Sequence, residues 1–437
     1  MLPLVSFPER LYRSLSLAAW LAAPAFGRGG SKLARTVRAR RNAGGHLVEW
    51  ARLHRDRSRP LLWIHAPSVG EGLQAMAVVE AVLERRSDFQ IVFTHFSPSA
   101  EALAARMPAD VVGPLPWDTM REAGRSVAAV QPDVLAFTKT EVWPVLAAAA
   151  RTAGAATALV GATLPPGASR LRWPVRSVLR PTLSHLGLVA AVGTDDAGGL
   201  IGLGATANTT HVTGDPGIDA AAQRVRAVEQ AELHLRPFAT PFRPTLVAGS
   251  TWPSDEAVLV PALVAVRRHH PLLRAVIAPH EPNEEAMRAL EARVQREGLK
   301  SARLGQVESR GACGDTDVVV VDRVGVLAEL YTVGHVAWVG GGFHGYGLHS
   351  VLEPAAAGLP VLFGPRHRTA RAAGELLSLG GARVVRDVDE AAWALTGWLE
   401  DADSRATSGT SCGRYIEAHL GASGRTADLL IGLSRHR

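Results

Sequence analysis

The chain has 437 residues, 47% of them hydrophobic and 20% charged, a balance that excludes a disordered protein and favours two domains. Its formal net charge of +6 suits an anionic substrate or membrane surface, whereas no basic patch interleaved with aromatic residues indicates a nucleic-acid partner. Two isolated cysteines, Cys313 and Cys412, exclude a disulfide scaffold and a structural zinc site, and they indicate a reducing compartment.

The first predicted element is a short apolar helix. Residues 14–27, SLSLAAWLAAPAFG, carry no charge, and six basic residues follow before the next acid, Glu49. A spanning helix needs about 20 apolar residues, and a signal peptide has its basic cluster before the apolar run. We therefore expect residues 1–44 to lie on an anionic membrane surface. The alternative is an ordinary amphipathic helix packed on the domain.

Short apolar runs alternate with helical stretches along the rest of the chain, which predicts parallel sheets covered on both faces. The strand-like runs are LLWIH (61–65), QIVFT (90–94), DVLAF (133–137), ATALV (156–160), TLVAG (245–249), RAVIA (274–278), DVVVVD (317–322), HVAWVG (335–340) and LPVLFG (359–364). Between the first two runs, residues 71–86 have the apolar spacing of a helix.

The proline-containing stretch FATPFRPT (238–245) predicts an interdomain linker near 220–244. Two Rossmann-like α/β domains follow from it, residues 45–235 and residues 236–437. Because ligands bind beyond the carboxyl ends of such strands, we expect the two sheets to face each other across a ligand-binding cleft. The tail from Asp387 onward reads as helices with a Gly/Ser-rich break near 408–413, and it carries no catalytic signal.

Residues 336–365, VAWVGGGFHGYGLHSVLEPAAAGLPVLFGP, contain seven glycines, which predicts a very close approach to the backbone. Gly340, Gly342 and Gly345 have the G-x-G-x-x-G spacing of dinucleotide-binding turns. A dehydrogenase would place this pattern on its first strand with an acid about 20 residues later. More generally, a glycine loop that leads into a helix is a site for phosphate.

The helix after this loop is predicted from LHSVLEPAAAG. It would place His349 and Glu353 on one face of its first turns, with Glu353 able to accept hydrogen bonds from a ribose. In the first domain, HAPSVGEGLQA (65–75) reads as strand, turn and helix with Glu71 at the helix N-terminus. There Glu71 would either complement the helix dipole or take a proton from a hydroxyl at the cleft.

Nine segments spread over nearly the whole chain form a recognisable series. They are HAPSVGE (65–71), FTHFSPSAE (93–101), PLPWD (114–118), KTEVWP (139–144), VTGDPGID (212–219), AGSTWPSDE (248–256), APHEP (278–282), VDRVGVLAELY (321–331) and GGGFHGYGLHSVLEP (340–354). In these segments and their order the chain resembles the 3-deoxy-D-manno-octulosonic acid (Kdo) transferases of lipopolysaccharide assembly, which have the two-domain GT-B fold.

The resemblance implies that Glu71 is the general base toward a hydroxyl of a lipid A glucosamine, and that Lys139 and Glu141 belong to the same catalytic group. It implies a donor site for CMP-Kdo that includes Pro279, His280, Val324, Gly325, Val326, Ser350, Val351, Leu352 and Glu353. Ser250, Thr251, Gly341, Gly342 and His349 are further candidates for contacts with the donor.

The family also implies inverting transfer to a lipid A precursor (lipid IVA) with no metal and no cofactor beyond the donor. The expected location is the cytoplasmic face of the inner membrane, reached through the N-terminal segment, without a nucleic-acid partner.

Several positions differ from the pattern of the family. Ser350 stands where the family has an asparagine, and residues 161–165, GATLP, stand where it has Asn-Ala-Arg-Leu-Ser, which loses an arginine. Two further differences concern the charge at the transition state. Lys139 stands where many members have the first glutamate of Met-Glu-Thr-Glu-Leu-Trp-Pro, and Gly217 of GDPGID stands where the family has a basic residue. A missing cation beside a developing charge costs on the order of several kcal/mol of barrier. Lys139 is the first candidate to replace it and Arg224 the second. The alternatives are a GT-B transferase or epimerase of another nucleotide sugar and a non-catalytic donor-binding relative.

Overall fold

The computed structural model describes residues 7–29, 31–165, 168–228, 233–239 and 243–434, which form two compact units. The first unit contains the described residues up to Ala220 together with those from Gly421 onward, and the second contains those from Ala221 to Leu420. The division thus falls earlier than the predicted boundary at 235/236. Part of the predicted linker, residues 229–232 and 240–242, lies outside the described residues.

The first unit is built on a fully parallel sheet of seven strands in the order β3-β2-β1-β4-β5-β6-β7. The strands are β1 (Leu61–Ala66), β2 (Gln90–His95), β3 (Val111–Pro114), β4 (Val134–Thr138), β5 (Ala156–Ala162), β6 (Leu188–Ala191) and β7 (Thr210–Val212).

Helices cover both faces of this sheet. The helices of this unit are α1 (Phe7–Phe26), α2 (Lys32–Arg40), α3 (Ala43–His54), α4 (Val69–Arg85), α5 (Glu101–Ala104), α6 (Met120–Val130), α7 (Pro144–Thr152), α8 (Val175–Leu183), α9 (Thr194–Leu203) and α19 (Ala422–Ser434), and α10 (Pro216–Arg226) begins in this unit and ends in the second. Because strand side chains alternate, Leu61 and Trp63 of β1 join a core with α3, α6 and α7, whereas Leu62 and Ile64 join one with α4 and α19.

The C-terminal helix α19 therefore belongs to the first unit and not to the predicted 236–437 domain. Its Ala427, Leu430 and Ile431 are buried in the core cluster that contains α4 and the strands. The tail was expected to be helical but was assigned to the second domain, because a helical pattern does not reveal which core an apolar face joins.

The N-terminal helix α1 extends beyond the predicted apolar run at its start. Tyr12 holds it to the unit by donating a hydrogen bond of 2.7 Å to Asp118. Leu15 and Leu21 on the same helix are 61% and 64% exposed, so much of its apolar surface is unpartnered. No helix in the described part of the chain has the length and hydropathy needed to cross a membrane.

The second unit repeats the plan with seven parallel strands in the order β10-β11-β9-β8-β12-β13-β14. These are β8 (Thr245–Thr251), β9 (Arg274–Pro279), β10 (Ser301–Arg303), β11 (Val318–Val320), β12 (Val336–Val339), β13 (Val361–Phe363) and β14 (Ala382–Val384). Its helices are α11 (Pro253–Arg267), α12 (Glu284–Arg296), α13 (Leu304–Arg310), α14 (Leu327–Tyr331), α15 (Leu352–Ala356), α16 (Arg371–Ser378), α17 (Val388–Glu400) and α18 (Ala402–Ala418).

Two helices of this unit differ from their predictions. The expected break at 408–413 is wrong, since α18 runs through it: Gly409 lies so close to Gly358 that a Cβ would come within 2.2 Å of its carbonyl oxygen. The helix expected from Leu348 begins only at Leu352. Pro354 explains the late start, because proline fits the first turn of a helix but breaks its interior.

Candidate functional site

The predicted site residues follow the strands at which each sheet changes direction. In the first unit, β2 lies on one side of β1 and β4 on the other, and in the second unit β9 and β12 flank β8 in the same way. Open α/β sheets bind ligands at such switch points, beyond the carboxyl ends of the strands. Glu71 follows β1 and Lys139 follows β4, while Ser250 and Gly340 stand at the ends of β8 and β12.

The first unit contains a pocket of about 230 Å³ at its switch point. It is lined by Pro67, Glu71, Lys139, Thr140, Glu141, Thr163, Leu164, Pro165, Ala168 and Arg170. Glu71 reaches it from the first turn of α4, and its Oε1 lies 3.4 Å from the Lys139 ammonium. The other oxygen, Oε2, is buried and has no hydrogen-bond partner among the described residues. The structure thus brings the three predicted catalytic residues together.

Glu141 is the second carboxylate of the pocket. Burial raises the pKa of its carboxyl group, the nearby Arg170 opposes that rise, and the negative charge of Glu71 adds to it. The negative charges of the two carboxylates in this pocket are thereby balanced by the positive charges of Lys139 and Arg170. Arg170 was missed by sequence reasoning, since no pattern in RLRWPVR distinguishes it from its neighbours.

A buried arginine, Arg40, lies close enough to Glu141 of this pocket for their charges to interact. The Arg40 guanidinium donates hydrogen bonds of 2.9 Å to the carbonyl oxygens of Leu115 and Pro116. Its centre lies 4.8 Å, 4.6 Å and 5.3 Å from the rings of Phe96, Trp117 and Trp143. Burial lowers the pKa of Arg40 to about 10, against the charge of Asp118. The sequence predicted a membrane contact for this basic segment, but Arg40 itself lies in the protein interior.

In the second unit, the glycines of the loop after β12 let segments of backbone pack against each other. A Cβ on Gly340 would lie 2.2 Å from the Ser250 carbonyl oxygen, and one on Gly342 would lie 2.4 Å from the Gly364 nitrogen. Gly341 adopts a φ of +90°. The close approach predicted from the glycine content is therefore confirmed, but the approaching group is the protein itself.

Most amide N–H groups of this loop already donate hydrogen bonds within the protein. Asp255 accepts hydrogen bonds from the Gly341 N–H at 2.8 Å and from the Phe343 N–H at 3.2 Å. The Gly341 N–H is thus already used as a donor, and the phosphate contact expected of the glycine loop stays a prediction. Burial raises the pKa of Asp255, while the bonds from these amides and from Trp252 lower it. Asp255 was not singled out from the sequence.

Aromatic rings stack beside this loop. Trp252 lies face to face with His344 at a centroid distance of 4.0 Å and with His280 at 4.6 Å, and His280 stacks on His349 at 4.5 Å. The Trp252 indole N–H donates a hydrogen bond of 3.1 Å to the Nε2 atom of His349. Two predicted residues, His280 and His349, are thus joined by Trp252 and His344, which sequence reasoning did not assign to the site.

Glu353 lies in the second unit beside Arg224, with which it forms an ion pair. Burial raises the pKa of Glu353 and the positive charge of Arg224 lowers it. Arg224, a candidate for the missing cation, and Glu353, a candidate ribose contact, therefore bind each other. His349 precedes α15, so the predicted pairing of His349 and Glu353 on one helical face is wrong.

The other predicted donor-site residues differ in accessibility. Val324 is 69% exposed, Gly325 has a φ of +95°, and Val326 immediately precedes α14. The Thr251 hydroxyl donates to Glu256 at 3.0 Å and is buried.

Ser350 is exposed and accepts from the Leu352 N–H, and Pro279 ends β9. Val351 and Leu352 are buried.

Several known proteins are similar to this chain in amino-acid sequence. A family model described as 3-deoxy-D-manno-octulosonic-acid transferase matches residues 42–220. The 3-deoxy-D-manno-octulosonic acid transferase of Bordetella pertussis is 32% identical over 422 residues, which cover 90% of this chain and 94% of the relative. The enzyme of that name from Aquifex aeolicus is 26% identical and covers 74% of this chain and 80% of the relative.

Solved structures add a match at the level of fold. The UDP-GlcNAc 2-epimerase of Neisseria meningitidis bound to UDP-GlcNAc superimposes with a TM-score of 0.60 at 14% identity, covering 86% of this chain and 100% of that one. Together with the two seven-stranded parallel sheets, this match confirms the predicted GT-B fold class.

Proposed function

The chain belongs to the 3-deoxy-D-manno-octulosonic acid transferase family, and on that premise we propose that it transfers Kdo from CMP-Kdo to a lipid A precursor in lipopolysaccharide synthesis. The observation that carries the proposal is the state of Glu71. One of its oxygens lies beside the Lys139 ammonium and the other is buried without a hydrogen-bond partner among the described residues. The Glu71 side chain lines the pocket and is 18% exposed, so its carboxylate is placed to accept a hydroxyl proton after a small side-chain rotation.

In the proposed reaction, Glu71 takes the proton of an acceptor hydroxyl while that oxygen attacks the anomeric carbon of Kdo. The bond from this carbon to the CMP phosphate oxygen breaks as the new bond forms, so transfer is inverting. Lys139 supplies positive charge beside the reacting groups. It is favoured over Arg224 for the role left by Gly217, because Lys139 lines the Glu71 pocket, whereas Arg224 belongs to the second unit and pairs there with Glu353.

The second unit would hold the donor around the carboxyl ends of β8 and β12. His280, in the ring stack, and Gly325, on an exposed turn, are the predicted residues best placed to contact a nucleotide. The proposed reaction uses protein cations rather than a metal ion to meet the charge of the departing CMP. The N-terminal helix α1, with its exposed leucines, would attach the enzyme to the cytoplasmic face of the inner membrane.

The first test of this function replaces the proposed base. Glu71→Gln keeps the shape of the side chain but cannot accept the proton, so transfer should fall by about 10²-fold or more. The purified chain is incubated with CMP-Kdo and a tetraacyl lipid A precursor in the presence of EDTA, and the lipid is analysed by mass spectrometry. A mass gain of one or more Kdo units is expected for the wild type.

The matched control is Glu84→Gln, an exposed glutamate near the other end of the same helix. It should retain wild-type transfer, and both variants should still bind CMP. Near-normal turnover by Glu71→Gln would remove the base assignment. A wild-type chain that modifies a UDP-sugar but never consumes CMP-Kdo would instead support the alternative of a different sugar nucleotide.

A further inference from the structure

A short basic segment follows β13 in the second unit and has no part in the steps proposed above. It consists of residues 364–370, GPRHRTA, and we call it the basic loop. Because β13 pairs with β12, the basic loop lies next to the glycine loop that follows β12. Open α/β sheets bind their ligands at this edge, beyond the carboxyl ends of the strands.

The backbone of the basic loop is fixed to the glycine loop. The Arg366 N–H donates a hydrogen bond of 2.9 Å to the Gly342 carbonyl, and the Arg366 carbonyl accepts one of 3.2 Å from the Leu348 N–H. A Cβ on Gly345 would lie 3.7 Å from a terminal nitrogen of Arg366. The guanidinium group therefore extends beside the glycine loop from a backbone that two hydrogen bonds hold in place.

The positive charge of the basic loop is not neutralised by the protein. Between residues 330 and 374 the sequence contains a single acid, Glu353, which is paired with Arg224. Arg366 and Arg368 are both exposed, and neither forms an ion pair with another residue that the structure describes. Guanidinium groups of this kind bind carboxylates and phosphates, often through two parallel hydrogen bonds each.

The backbone of the glycine loop offers an anion few donors of its own. The N–H groups of Gly341 and Phe343 already donate to Asp255. Those of Gly347 and His349 donate to backbone carbonyl oxygens of the same loop. An anion at this edge of the sheet would therefore find its charged donors in the side chains of the basic loop.

An exposed aromatic ring lies at the same place. Tyr346 is 84% exposed, and its ring centroid lies 4.9 Å from that of His344, which stacks on Trp252. Tyr346 directly follows Gly345, the glycine beside the Arg366 guanidinium. Exposed rings next to a few charged donors are typical of a binding site for a ligand with both a flat face and an anionic group, as a nucleotide has.

We propose that Arg366 and Arg368 bind an oxyanion of the sugar nucleotide, either its phosphate or the carboxylate of its sugar. The inference rests on the proposed function, because that function supplies a donor with both groups. A cation at the phosphate would stabilise the charge that CMP carries away as it leaves. A cation at the sugar carboxylate would orient the anomeric carbon for attack.

The test compares the Arg366→Gln/Arg368→Gln variant of the full chain with the wild type. Calorimetry measures binding of CMP and of cytidine, and the transfer assay measures the KM for CMP-Kdo. If the arginines hold the phosphate, CMP should bind about 10- to 100-fold more weakly while cytidine binds as before. If they hold the sugar carboxylate, CMP binding should stay unchanged and the KM for CMP-Kdo should rise by a similar factor.

A matched control removes the same charge from the same unit. Arg268→Gln/Arg310→Gln replaces two exposed arginines at the carboxyl-terminal ends of α11 and α13. Because exposed charges distant from the ligand are screened by salt, this variant should bind CMP within about twofold of the wild type. All four side chains are exposed, so melting curves should stay unchanged in both variants and exclude unfolding as the cause.

Unchanged CMP binding together with an unchanged KM for CMP-Kdo in Arg366→Gln/Arg368→Gln overturns the proposal. A titration with UDP separates this result from failure of the proposed function. A chain that binds UDP in place of CMP and never transfers Kdo would refute that function. The basic loop would keep its assignment if the double variant then bound UDP more weakly than the wild type, and would lose it if both bound UDP equally.

Discussion

Two non-glycine residues with left-handed backbone stand where the candidate sites are. Lys139 has a φ of 55° directly after β4, and Ser250 has a φ of 54° near the end of β8, where the pairing with β9 shifts register. Such conformations cost on the order of 1–3 kcal/mol and persist where the surroundings enforce them, often at functional sites. The Lys139 N–H donates to the Val160 carbonyl at 2.9 Å, which fixes the turn that aims its ammonium at Glu71.

His349 must be neutral to make its observed contact. The Trp252 indole is only a donor, so the Nε2 atom of His349 has to be the unprotonated acceptor. Burial, together with the positive charges that His280 and His344 can carry, lowers the pKa of His349 to about 4. Because the native state holds the proton less tightly than the unfolded chain, this histidine weakens the fold as the pH falls from its ordinary pKa of 6.5 toward 4.

Replacing His349 should therefore reduce the acid sensitivity of the protein. His349→Gln keeps a side-chain oxygen for the Trp252 N–H but cannot be protonated, and at pH 5 it removes a penalty of about 2 kcal/mol. Thermal melting at about pH 7.5 and about pH 5 should show a difference that is smaller by a few degrees than in the wild type. His269→Gln, an exposed change in the same unit, should keep the wild-type difference. An unchanged difference in His349→Gln would contradict this account.

At the scale of elements, the glycine loop after β12 joins three strand ends of the second unit. Its glycines allow contact with the backbone of Ser250 after β8 and of Gly364 after β13. Asp255, at the start of α11, holds the loop in place because its carboxylate accepts hydrogen bonds from two of the loop's amide groups. The loop is thus a rigid part of the fold, and its glycines are required for packing before any ligand is considered.

The glycines of the G-x-G-x-x-G pattern should accordingly differ in tolerance. Gly340→Ala places a Cβ 2.2 Å from a backbone oxygen that cannot rotate away, so it should destabilise the protein by about 2–4 kcal/mol. Gly345→Ala meets nothing closer than the end of the Arg366 side chain at 3.7 Å and should be nearly neutral. Chemical denaturation of both variants checks the contrast. Equal stability of the two variants would show that close packing does not decide which of these glycines can be replaced.

At the scale of the whole molecule, the C-terminal residues from Gly421 onward pack on the first unit rather than on the second. α19 packs on α4, the helix that carries Glu71, and Arg425 donates a hydrogen bond of 2.9 Å to the Thr213 carbonyl. Asp219 accepts bonds from the amides of Gly421 and Ser423. The C-terminal tail thereby supports the unit that contains the Glu71 pocket.

A core substitution in this last helix should therefore affect the distant pocket. Leu430→Ala opens a cavity between α19 and the sheet and should cost about 2–5 kcal/mol of stability. Gly432→Ala on the same helix meets no atom within 4 Å and should be neutral or slightly stabilising. Denaturation monitored together with the transfer assay tests both. A fully stable Leu430→Ala variant would mean that α19 adds nothing to the first unit.

The sequence by itself determined the parallel α/β architecture and nine of the strands, because those strands are buried runs whose apolar character is local and continuous. It missed five short strands, β3, β6, β7, β10 and β14, four of which are sheet edges. Edge strands need fewer apolar residues, so their pattern is weak.

The sequence also predicted Glu71, Lys139 and Glu141 as one group, but it did so through resemblance to a family. Only the tertiary structure decided which groups already have partners: Arg224 with Glu353, Asp255 with the glycine loop, and α19 with the first unit. The reason is physical. Periodicity reports whether a residue is buried, whereas the partner it meets depends on how distant strands and helices are brought together in space.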